Sequence, residues 1–278
     1  MSDQYKQWAE AGLDFEVVDG LAKVTFNRVQ VRNAVDRPLR KAILEALSEI
    51  NLVPEIRAAL FTGAGTAFCS GADLGQVGGP HEMLPEHNRG TEVHQRREDG
   101  LEYGWWRVIE KVWENKKPII TAVNGAAYGF GCNFALASDI VIAAESARFC
   151  EIFVQRGLPL EASGAYILTR SISPVRAKEL ALYGDPLSGE KAAEWGLVNR
   201  CVPDAELMDV ATDWARRLAV GPTIGIGHIK SQINQGLDQN IRQTWRDEVT
   251  YLGMGIGADG TEAMTAFQER RQPEFKGL

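Results

Sequence analysis

The stretch AVNGAAYGFGCNFALASDI, residues 122–140, decides the fold of this chain. It overlaps the apolar run Pro118 to Val123, which is typical of a buried strand, and it leads into a second such run from Asp139 to Ala144. Between them, the glycine-rich segment Gly125 to Gly131 predicts a loop that feeds a short helix. A strand, a helix and another strand in this order predict an α/β fold with parallel strand pairing.

The segments on either side extend this pattern and then change character after Val202. Upstream we expect a hairpin around Asp19-Gly20, a helix capped by Asp36, a strand at 58–62 and an aromatic helix that ends near Trp113. Downstream, strand signals stop and the sequence predicts helices at 205–220, 223–236, 240–252 and 261–271. We therefore expect a core over residues 1–203 and a helical carboxy-terminal region over residues 204–278.

Composition restricts the partners of this protein. The chain has 278 residues, of which 45% are hydrophobic, and 30 basic against 37 acidic side chains give a formal charge of -7. No run of five or more Lys or Arg occurs, which argues against nucleic acid and anionic membrane as partners. The four cysteines are scattered, without a Cys-x-x-Cys pair or a histidine at metal-ligand spacing, so neither a disulfide framework nor a metal site is predicted.

The chain carries no pattern that predicts secretion or membrane insertion. The amino-terminal residues MSDQYKQWAEAG are polar and lack the apolar stretch of a signal peptide. The apolar segment from Pro118 to Ala144 contains Asn124, Asn133 and Asp139, which a lipid-facing helix tolerates poorly. We expect a cytoplasmic protein.

Two loops can direct backbone amides at one point. The first, residues 68–74, follows the strand at Phe61, and the second, residues 124–131, follows the strand at Ile120 and opens a helix. Glycines let N–H groups approach a ligand closely, and a helix start adds partial positive charge, so such amides can hold a thioester oxygen as it gains charge. Taken singly, each loop is equally explained as a tight turn. The second also half matches a dinucleotide fingerprint, but its third glycine is missing.

Together, and in this order, several segments resemble the crotonase (enoyl-CoA hydratase/isomerase) superfamily. The matching segments are Asn27-Arg28 with Arg32-Asn33-Ala34, residues 67–74, residues 122–125 with 129–132, residues 138–140, residues 192–198 and residues 266–275. The resemblance spans nearly the whole chain. It implies a spiral of strand-strand-helix repeats and a carboxy-terminal trimerisation region, assembled as a homo-trimer or a dimer of trimers.

The resemblance also implies a site. The N–H groups of Ala72 and Phe130 would form an oxyanion hole, and Arg32 matches a position that contacts coenzyme A, although a surface charge is its simpler explanation. Asp73, Leu74, Asn133 and Phe153 fall at substrate-binding positions. The substrate would be an acyl-CoA thioester, and no separate cofactor is implied because coenzyme A is part of the substrate.

The carboxylates decide which reaction the resemblance favours. Family hydratases use two glutamates, but Asn133 stands at the first of these positions and Phe153 at the second, with Glu151 nearby as a reserve candidate. Glu161 falls where the isomerases carry a single Asp or Glu. A carboxylate in an apolar pocket gains basicity and can move a proton between carbons.

We therefore expect an enoyl-CoA isomerase in which Glu161 is the acid and base. The alternatives are a hydratase that uses Glu161 or Glu151, another acyl-CoA hydrolase or lyase, and a non-catalytic acyl-CoA-binding homologue. Glu161 could also merely cap the helix that starts near Ala162. The aromatic residues Tyr103, Trp105, Trp106 and Trp113 could line an acyl pocket, although helix packing explains most of them.

Overall fold

The computed structural model describes residues 3–75, 104–254 and 257–277; Tyr103 lies outside these ranges. The strands are β1 (Leu13–Val18), β2 (Leu21–Phe26), β3 (Ala58–Gly63), β4 (Ala67–Cys69), β5 (Ile119–Val123), β6 (Ala126–Tyr128), β7 (Ile140–Ala144), β8 (Arg148–Cys150), β9 (Leu187–Ser188) and β10 (Arg200–Val202). The helices are α1 (Asp3–Glu10), α2 (Arg37–Leu52), α3 (Trp105–Trp113), α4 (Phe130–Leu136), α5 (Gly164–Ser171), α6 (Pro174–Tyr183), α7 (Gly189–Glu194), α8 (Leu207–Ala219), α9 (Thr223–Gly236), α10 (Ile241–Gly253) and α11 (Gly257–Glu269).

Two sheets are built by a spiral course of the chain. The larger sheet has the order β1-β2-β3-β5-β7-β10 and the smaller one β4-β6-β8-β9. Each of the pairs β3 and β4, β5 and β6, and β7 and β8 places its first strand in the larger sheet and its second in the smaller. Pairing is parallel except for β1 with β2 and β8 with β9. The predicted α/β fold with strand-strand-helix repeats is confirmed.

The sequence prediction missed most of the smaller sheet. Residues 125–131 were expected to form a loop, but Ala126–Tyr128 is strand β6, which pairs with both β4 and β8. Strands of two or three residues are too short to show an alternating pattern of apolar and polar side chains. Strands β4, β6 and β8 instead follow from their position in the chain, since each comes directly after a strand of the larger sheet.

Helix α4 is anchored to the larger sheet through aromatic packing. The ring of Phe134 lies 5.1 Å from that of Phe61 and 5.5 Å from that of Phe26, both with edge-on geometry. All three side chains are fully buried. Because edge-on aromatic pairs contribute about 0.5–1.5 kcal/mol beyond area burial, they fix the position of α4 and of its first residue, Phe130.

The predicted carboxy-terminal helical region is present as α8 to α11. Helix α8 packs Ala211, Ala215 and Ala219 on the larger sheet, where they are buried. Helix α9 is held by Lys230, whose Nζ lies 2.9 Å from Asp139 Oδ2 and 3.0 Å from the Val112 carbonyl oxygen. Helix bounds differ from the predicted ones by up to four residues, as fraying ends allow. No described helix is both long and apolar enough to cross a bilayer.

Gly227→Ala tests how closely α9 docks on the core. A Cβ at Gly227 would lie 2.5 Å from the Lys116 carbonyl oxygen, whereas one at Gly225 on the same helix would meet nothing nearer than 3.9 Å. We expect Gly227→Ala to lower the free energy of unfolding by about 1–3 kcal/mol, the usual cost of overpacking. Gly225→Ala should be neutral or slightly stabilising. Urea denaturation of both variants measures this, and equal stabilities would contradict the close docking.

Candidate active site

The first loop, predicted at residues 68–74, begins at residue 70 in the structure because β4 extends to Cys69, and it runs to residue 75. Main-chain hydrogen bonds fix it to the segment before α2. Val35 donates to the Gly71 carbonyl at 2.8 Å, and Asp73 donates to the Val35 carbonyl at 2.9 Å. This short parallel bridge uses the Gly71 carbonyl and the Asp73 N–H, and it leaves the N–H of Ala72 between them without an acceptor among the residues described. The geometry thus frees one amide donor.

Arg28, which follows β2, holds the same loop through an ion pair with Asp73. Arg28 Nη2 lies 3.0 Å from Asp36 Oδ2 and 3.1 Å from Asp73 Oδ2, and Nη1 donates to the Ala34 carbonyl. The three charged side chains are mostly buried, at 10–13% exposure. A charge shared between two carboxylates in this way ties the loop to the cap of α2.

The second loop ends at Gly129, which is the N-cap residue immediately before α4. Gly129 has φ of 51° and ψ of -116°, and its N–H donates to the Cys150 carbonyl at 2.8 Å. Phe130 is the first residue of the helix, so its N–H has no intrahelical acceptor. The partial positive charge of the helix start adds to this free donor.

The two loops meet at main-chain distance. Gly71 has φ of +102°, and a Cβ built on it would lie 3.0 Å from the Tyr128 carbonyl oxygen and 4.0 Å from the Phe130 nitrogen. A side chain at Gly71 would therefore separate the loops. With glycine there, Ala72 and Phe130, whose N–H groups have no acceptor among the described residues, border one cavity.

That cavity collects residues from both loops, from α3 and from the turn after β8. Its lining consists of Ser70, Gly71, Ala72, Leu74, Trp105, Gly129, Phe130, Ile152, Phe153, Arg156, Leu158, Glu161 and Ala162. The rings of Trp105 and Phe130 lie 4.7 Å apart. The wall is thus aromatic and apolar, with two main-chain donors and the charged side chains of Arg156 and Glu161.

Glu161 is carried on a strained turn at the cavity wall. The following residues, Ala162 and Ser163, have φ of 48° and 60°, a left-handed conformation that costs a non-glycine residue about 1–2 kcal/mol. The Glu161 side chain is solvent-exposed at the wall, yet desolvation by the surrounding protein raises the pKa of its carboxyl. Ser163 stands before α5 without a side-chain cap, and no hydrogen bond to the Glu161 carboxylate is found in the described ranges. The helix-cap explanation for Glu161 is therefore not supported.

Asn133 and Glu151 lie behind this wall. Both side chains are completely buried, and neither borders the cavity. Asn133 Nδ2 donates to the Glu161 carbonyl at 3.0 Å and lies 3.4 Å from Glu151 Oε2. Burial raises the pKa of Glu151 to about 7, against the opposing effect of hydrogen bonds from Cys132 and Asn133. Glu151 Oε1 and Asn133 Oδ1 have no hydrogen-bond partner in the described structure.

Comparison with known proteins agrees with this fold. The family model for enoyl-CoA hydratase/isomerase matches residues 16–278. The chain belongs to the enoyl-CoA hydratase/isomerase family, within the crotonase superfamily.

Relatives and solved structures cover nearly the whole chain. The 1,2-epoxyphenylacetyl-CoA isomerase of Escherichia coli is 36% identical over 94% of this chain and 97% of its own length. A Rhodobacter capsulatus protein named "Probable enoyl-CoA hydratase" is 35% identical over 95% of this chain and 97% of its own. The crystal structure of an enoyl-CoA hydratase from Bacillus anthracis superposes with a TM-score of 0.84, at 29% identity, covering 96% of this chain and all of that one.

Within this family frame, the structure brings together five of the residues that the sequence singled out. Ala72, Leu74, Phe130, Phe153 and Glu161 all line the cavity. Trp105 also lines it, as one of the four aromatic residues considered for an acyl pocket. Their roles in binding and catalysis stay predictions.

Three other expected site residues lie away from the cavity. Asp73 was expected to bind substrate, but its carboxylate is engaged by Arg28, and Asn133 was expected to do the same but is fully buried. A family position gives the place of a residue in the chain, not the direction of its side chain, so substrate contact by Asp73 and Asn133 stays a prediction. Arg32 is exposed beside the first loop, where its carbonyl accepts from the Ser70 N–H at 3.1 Å.

Two features of the site were not predicted from the sequence. One is Arg28, which fixes the first loop. The other is the part of the cavity wall made by Ile152, Arg156 and Leu158. The signal for Arg28 was available, because Arg28 and Asp73 fall in matching segments and Asp36 was predicted to cap a helix close to Arg28 in the chain. Of the wall residues, Ile152 and Arg156 lie in a 3-10 helix of five residues that follows β8, which is too short for a sequence pattern to reveal it.

Glu151→Gln should make stability less dependent on pH. Because the pKa of Glu151 rises from 4.5 in the unfolded chain to about 7 in the folded one, the folded state binds this proton more tightly. Its contribution to stability is therefore full below pH 4.5 and is lost as the pH rises towards 7 and beyond. This rise corresponds to about 3 kcal/mol. Relative to wild type, we expect Glu151→Gln to gain about that much between pH 4.5 and pH 8 in urea denaturation.

Glu262→Gln provides the control for this measurement. Hydrogen bonds from Arg271 and the Glu274 N–H lower the pKa of Glu262 to about 2, so its contribution is constant above pH 4.5. The stability difference between Glu262→Gln and wild type should not vary over the same range. A pH-independent difference for Glu151→Gln as well would show that Glu151 ionises normally.

Proposed function

We propose that this protein is an enoyl-CoA isomerase that moves a double bond through an enolate held by two main-chain amides. The observation that carries the proposal is that Ala72, Phe130 and Glu161 line one cavity, and that the N–H groups of the first two have no acceptor among the described residues. An acyl-CoA substrate fits the family to which the chain belongs. The isomerase named among the relatives supports the choice of reaction.

In the proposed reaction the thioester oxygen accepts hydrogen bonds from Ala72 and Phe130. The Glu161 carboxylate removes a proton from C2 of a 3-enoyl-CoA, and the C2–H electron pair becomes part of a dienolate whose negative charge rests on the oxygen. Glu161 then returns the proton to C4, so the double bond moves from C3–C4 to C2–C3 and no atom is gained or lost. Amide donors of this kind contribute about 3–4 kcal/mol each to transition-state stabilisation.

The surroundings of Glu161 suit this role. Desolvation raises the pKa of its carboxyl, which makes the carboxylate a stronger base than one in water. We expect kcat/KM to rise with pH through this raised pKa, because only the ionised form can remove the first proton. The aromatic wall made by Trp105, Phe130 and Phe153 supports a bulky or cyclic acyl group as substrate.

Hydration is the alternative within the same family, and one relative is named as a hydratase. Addition of water is usually shared by two carboxylates, one as base and one as acid. Among the described residues that border the cavity, Glu161 is the one carboxylate, since Glu151 is buried behind the wall. This favours proton transfer by a single residue. The remaining alternative, a non-catalytic acyl-CoA-binding protein, does not explain why Glu161 is held at the cavity by the strained turn at Ala162 and Ser163.

Arg32 is proposed to contact the phosphates of coenzyme A. Its guanidinium is exposed, and no ion pair to it is found among the described residues. Its main chain is joined to the loop that carries Ala72 through the bond from Ser70. A cation in this place can meet the anionic part of the substrate while the thioester reaches the amides.

Glu161→Gln tests the proposed function. We expect the variant to lose about 100- to 10,000-fold in kcat, the range for removal of a general acid–base group. Its affinity for coenzyme A should be unchanged, because the substitution keeps the size of the side chain. The assay is mass spectrometry of products from 2-enoyl, 3-enoyl and cyclic acyl-CoA thioesters. An unchanged mass with a moved double bond supports isomerisation.

The matched control is Glu179→Gln, a change of the same kind on exposed helix α6. It should leave turnover as in wild type. A gain of water that survives in Glu161→Gln would contradict the isomerase and support a hydratase. Turnover of no substrate by either protein, with coenzyme A bound, would favour the non-catalytic alternative.

We also propose that the protein is a homo-trimer or a dimer of trimers assembled through its carboxy-terminal helices. Helix α10 has no buried residue within the chain. Its apolar side chains recur at helical spacing on one face and are 54–73% exposed: Ile241, Trp245, Val249 and Leu252. Phe267 on α11 is 80% exposed. An apolar face of this kind is typical of a surface that another subunit covers.

Trp245→Glu is expected to weaken this assembly. A charge at the centre of the apolar face would have to be desolvated in the interface, so the variant should dissociate. A trimer would give monomers of one third of the wild-type mass, and a dimer of trimers would give smaller oligomers. Thr250→Glu, on the opposite face of α10, is the matched control and should leave the mass unchanged. Light scattering after size exclusion measures both. A monomeric wild type would contradict the proposal.

A further inference from the structure

Asn133 joins the main chain of Glu161 to a buried carboxyl that the proposed reaction does not use. Its Nδ2 lies 3.0 Å from the Glu161 carbonyl oxygen and 3.4 Å from Glu151 Oε2. All of these contacts lie behind the cavity wall, since Asn133 and Glu151 have no exposed surface. The side-chain amide of Asn133 thus contacts both the main chain of Glu161, which borders the cavity, and the buried carboxyl of Glu151.

The turn at Glu161 requires such an anchor. Ala162 and Ser163 both have left-handed backbone conformations, which persist only where neighbouring contacts hold them. The Glu161 carbonyl also accepts from the Gly164 N–H at 3.0 Å, but this bond lies within the turn and moves with it. Among the described residues, Asn133 is what connects this carbonyl to another element of the fold.

Glu151 determines which way the Asn133 amide faces. A side-chain amide presents donors on one side and an acceptor on the other, and Glu161 offers a carbonyl that needs a donor. With the amide reversed, Asn133 Oδ1 would face the Glu161 carbonyl, which can only accept, and the contact from Nδ2 to Glu151 Oε2 would be lost. Gly164 closes the space over the amide, since a Cβ there would lie 2.7 Å from Nδ2. The amide is held on three sides.

We infer that Asn133 and Glu151 are positioning residues for the reaction: Glu151 fixes the amide of Asn133, and Asn133 fixes the main chain that carries Glu161. Asn133 lies on α4, whose first residue supplies the Phe130 amide. One helix therefore sets the distance between the oxyanion donors and the acid. This inference rests on the proposed role of Glu161.

The test compares Asn133→Leu, Glu151→Leu and Glu151→Gln in exchange of the C2 proton of 3-hexenoyl-CoA in deuterium oxide, followed by mass spectrometry. Both leucine variants remove a partner of the amide pair and should lose about 10- to 100-fold in kcat with KM changed less than about twofold, the effect of a misplaced catalytic group. Glu151→Gln keeps an oxygen that accepts from Asn133 and should retain kcat within about threefold of wild type.

Glu161→Gln, measured alongside, separates the two proposals. If it exchanges the proton as wild type does, the proposed function fails. If it loses exchange while the leucine variants keep wild-type kcat, the proposed function stands and the positioning inference is overturned. A loss in Glu151→Gln equal to that in Glu151→Leu would also overturn the inference, because an accepting oxygen would then not be what matters.

Amide hydrogen exchange gives a readout that does not depend on turnover. In folded Glu151→Leu, we expect faster exchange at residues 161–164 than in wild type, with α4 and the strands protected as before. Unchanged protection of this segment would contradict the inference. Asn133→Ser, which removes the amide without adding apolar bulk, repeats both measurements if Asn133→Leu does not fold.

Discussion

The site depends on the approach of two main chains to a distance that excludes any side chain between them. A Cβ at Gly131 would lie 2.2 Å from the Cys69 carbonyl oxygen, and one at Gly125 would lie 2.1 Å from that of Thr66. Contacts this short bring β4 and β6 side by side, and the loops that follow these strands then end next to each other. This packing of the main chain positions both amides, since an N–H group is placed by the backbone and not by the side chains of Ala72 and Phe130.

The spiral explains why these loops come together although about 60 residues separate them. Each turn of the spiral places one strand in the larger sheet and the next in the smaller, so parallel strands of the smaller sheet begin and end at the same edge. Ala72 follows β4 and Phe130 follows β6, and these strands are neighbours. The third turn adds β8, after which the chain returns along the cavity wall to Glu161. The three chemical groups are thus supplied by three successive repeats.

The longer elements of this fold were predictable from sequence, because burial of a whole strand or helix face leaves a pattern. The close approach of the chain at Gly71 and Gly131 was predictable too, since glycine next to a strand end marks such an approach, although strand β6 within the second predicted loop was not. The inward direction of Asn133 was not, because whether a polar side chain meets substrate or protein is set by its rotamer and by Gly164 above it. Asp73 shows the same difficulty, since its partner Arg28 lies 45 residues earlier in the chain. The strands of the smaller sheet were too short to leave a pattern at all.

The distribution of carboxylates follows from the same arrangement. Burial places Glu151 where ionisation is unfavourable near neutral pH, whereas Glu161 borders a cavity that desolvates it only in part. A group proposed to accept and release a proton in each cycle needs a path to the substrate, and Glu161 lines the cavity while partial desolvation raises the pKa of its carboxyl. Glu151 has neither a path nor, at neutral pH, a fixed charge. Its proposed effect on chemistry is exerted through the Asn133 amide, which contacts both Glu151 and the main chain of Glu161 in the described structure.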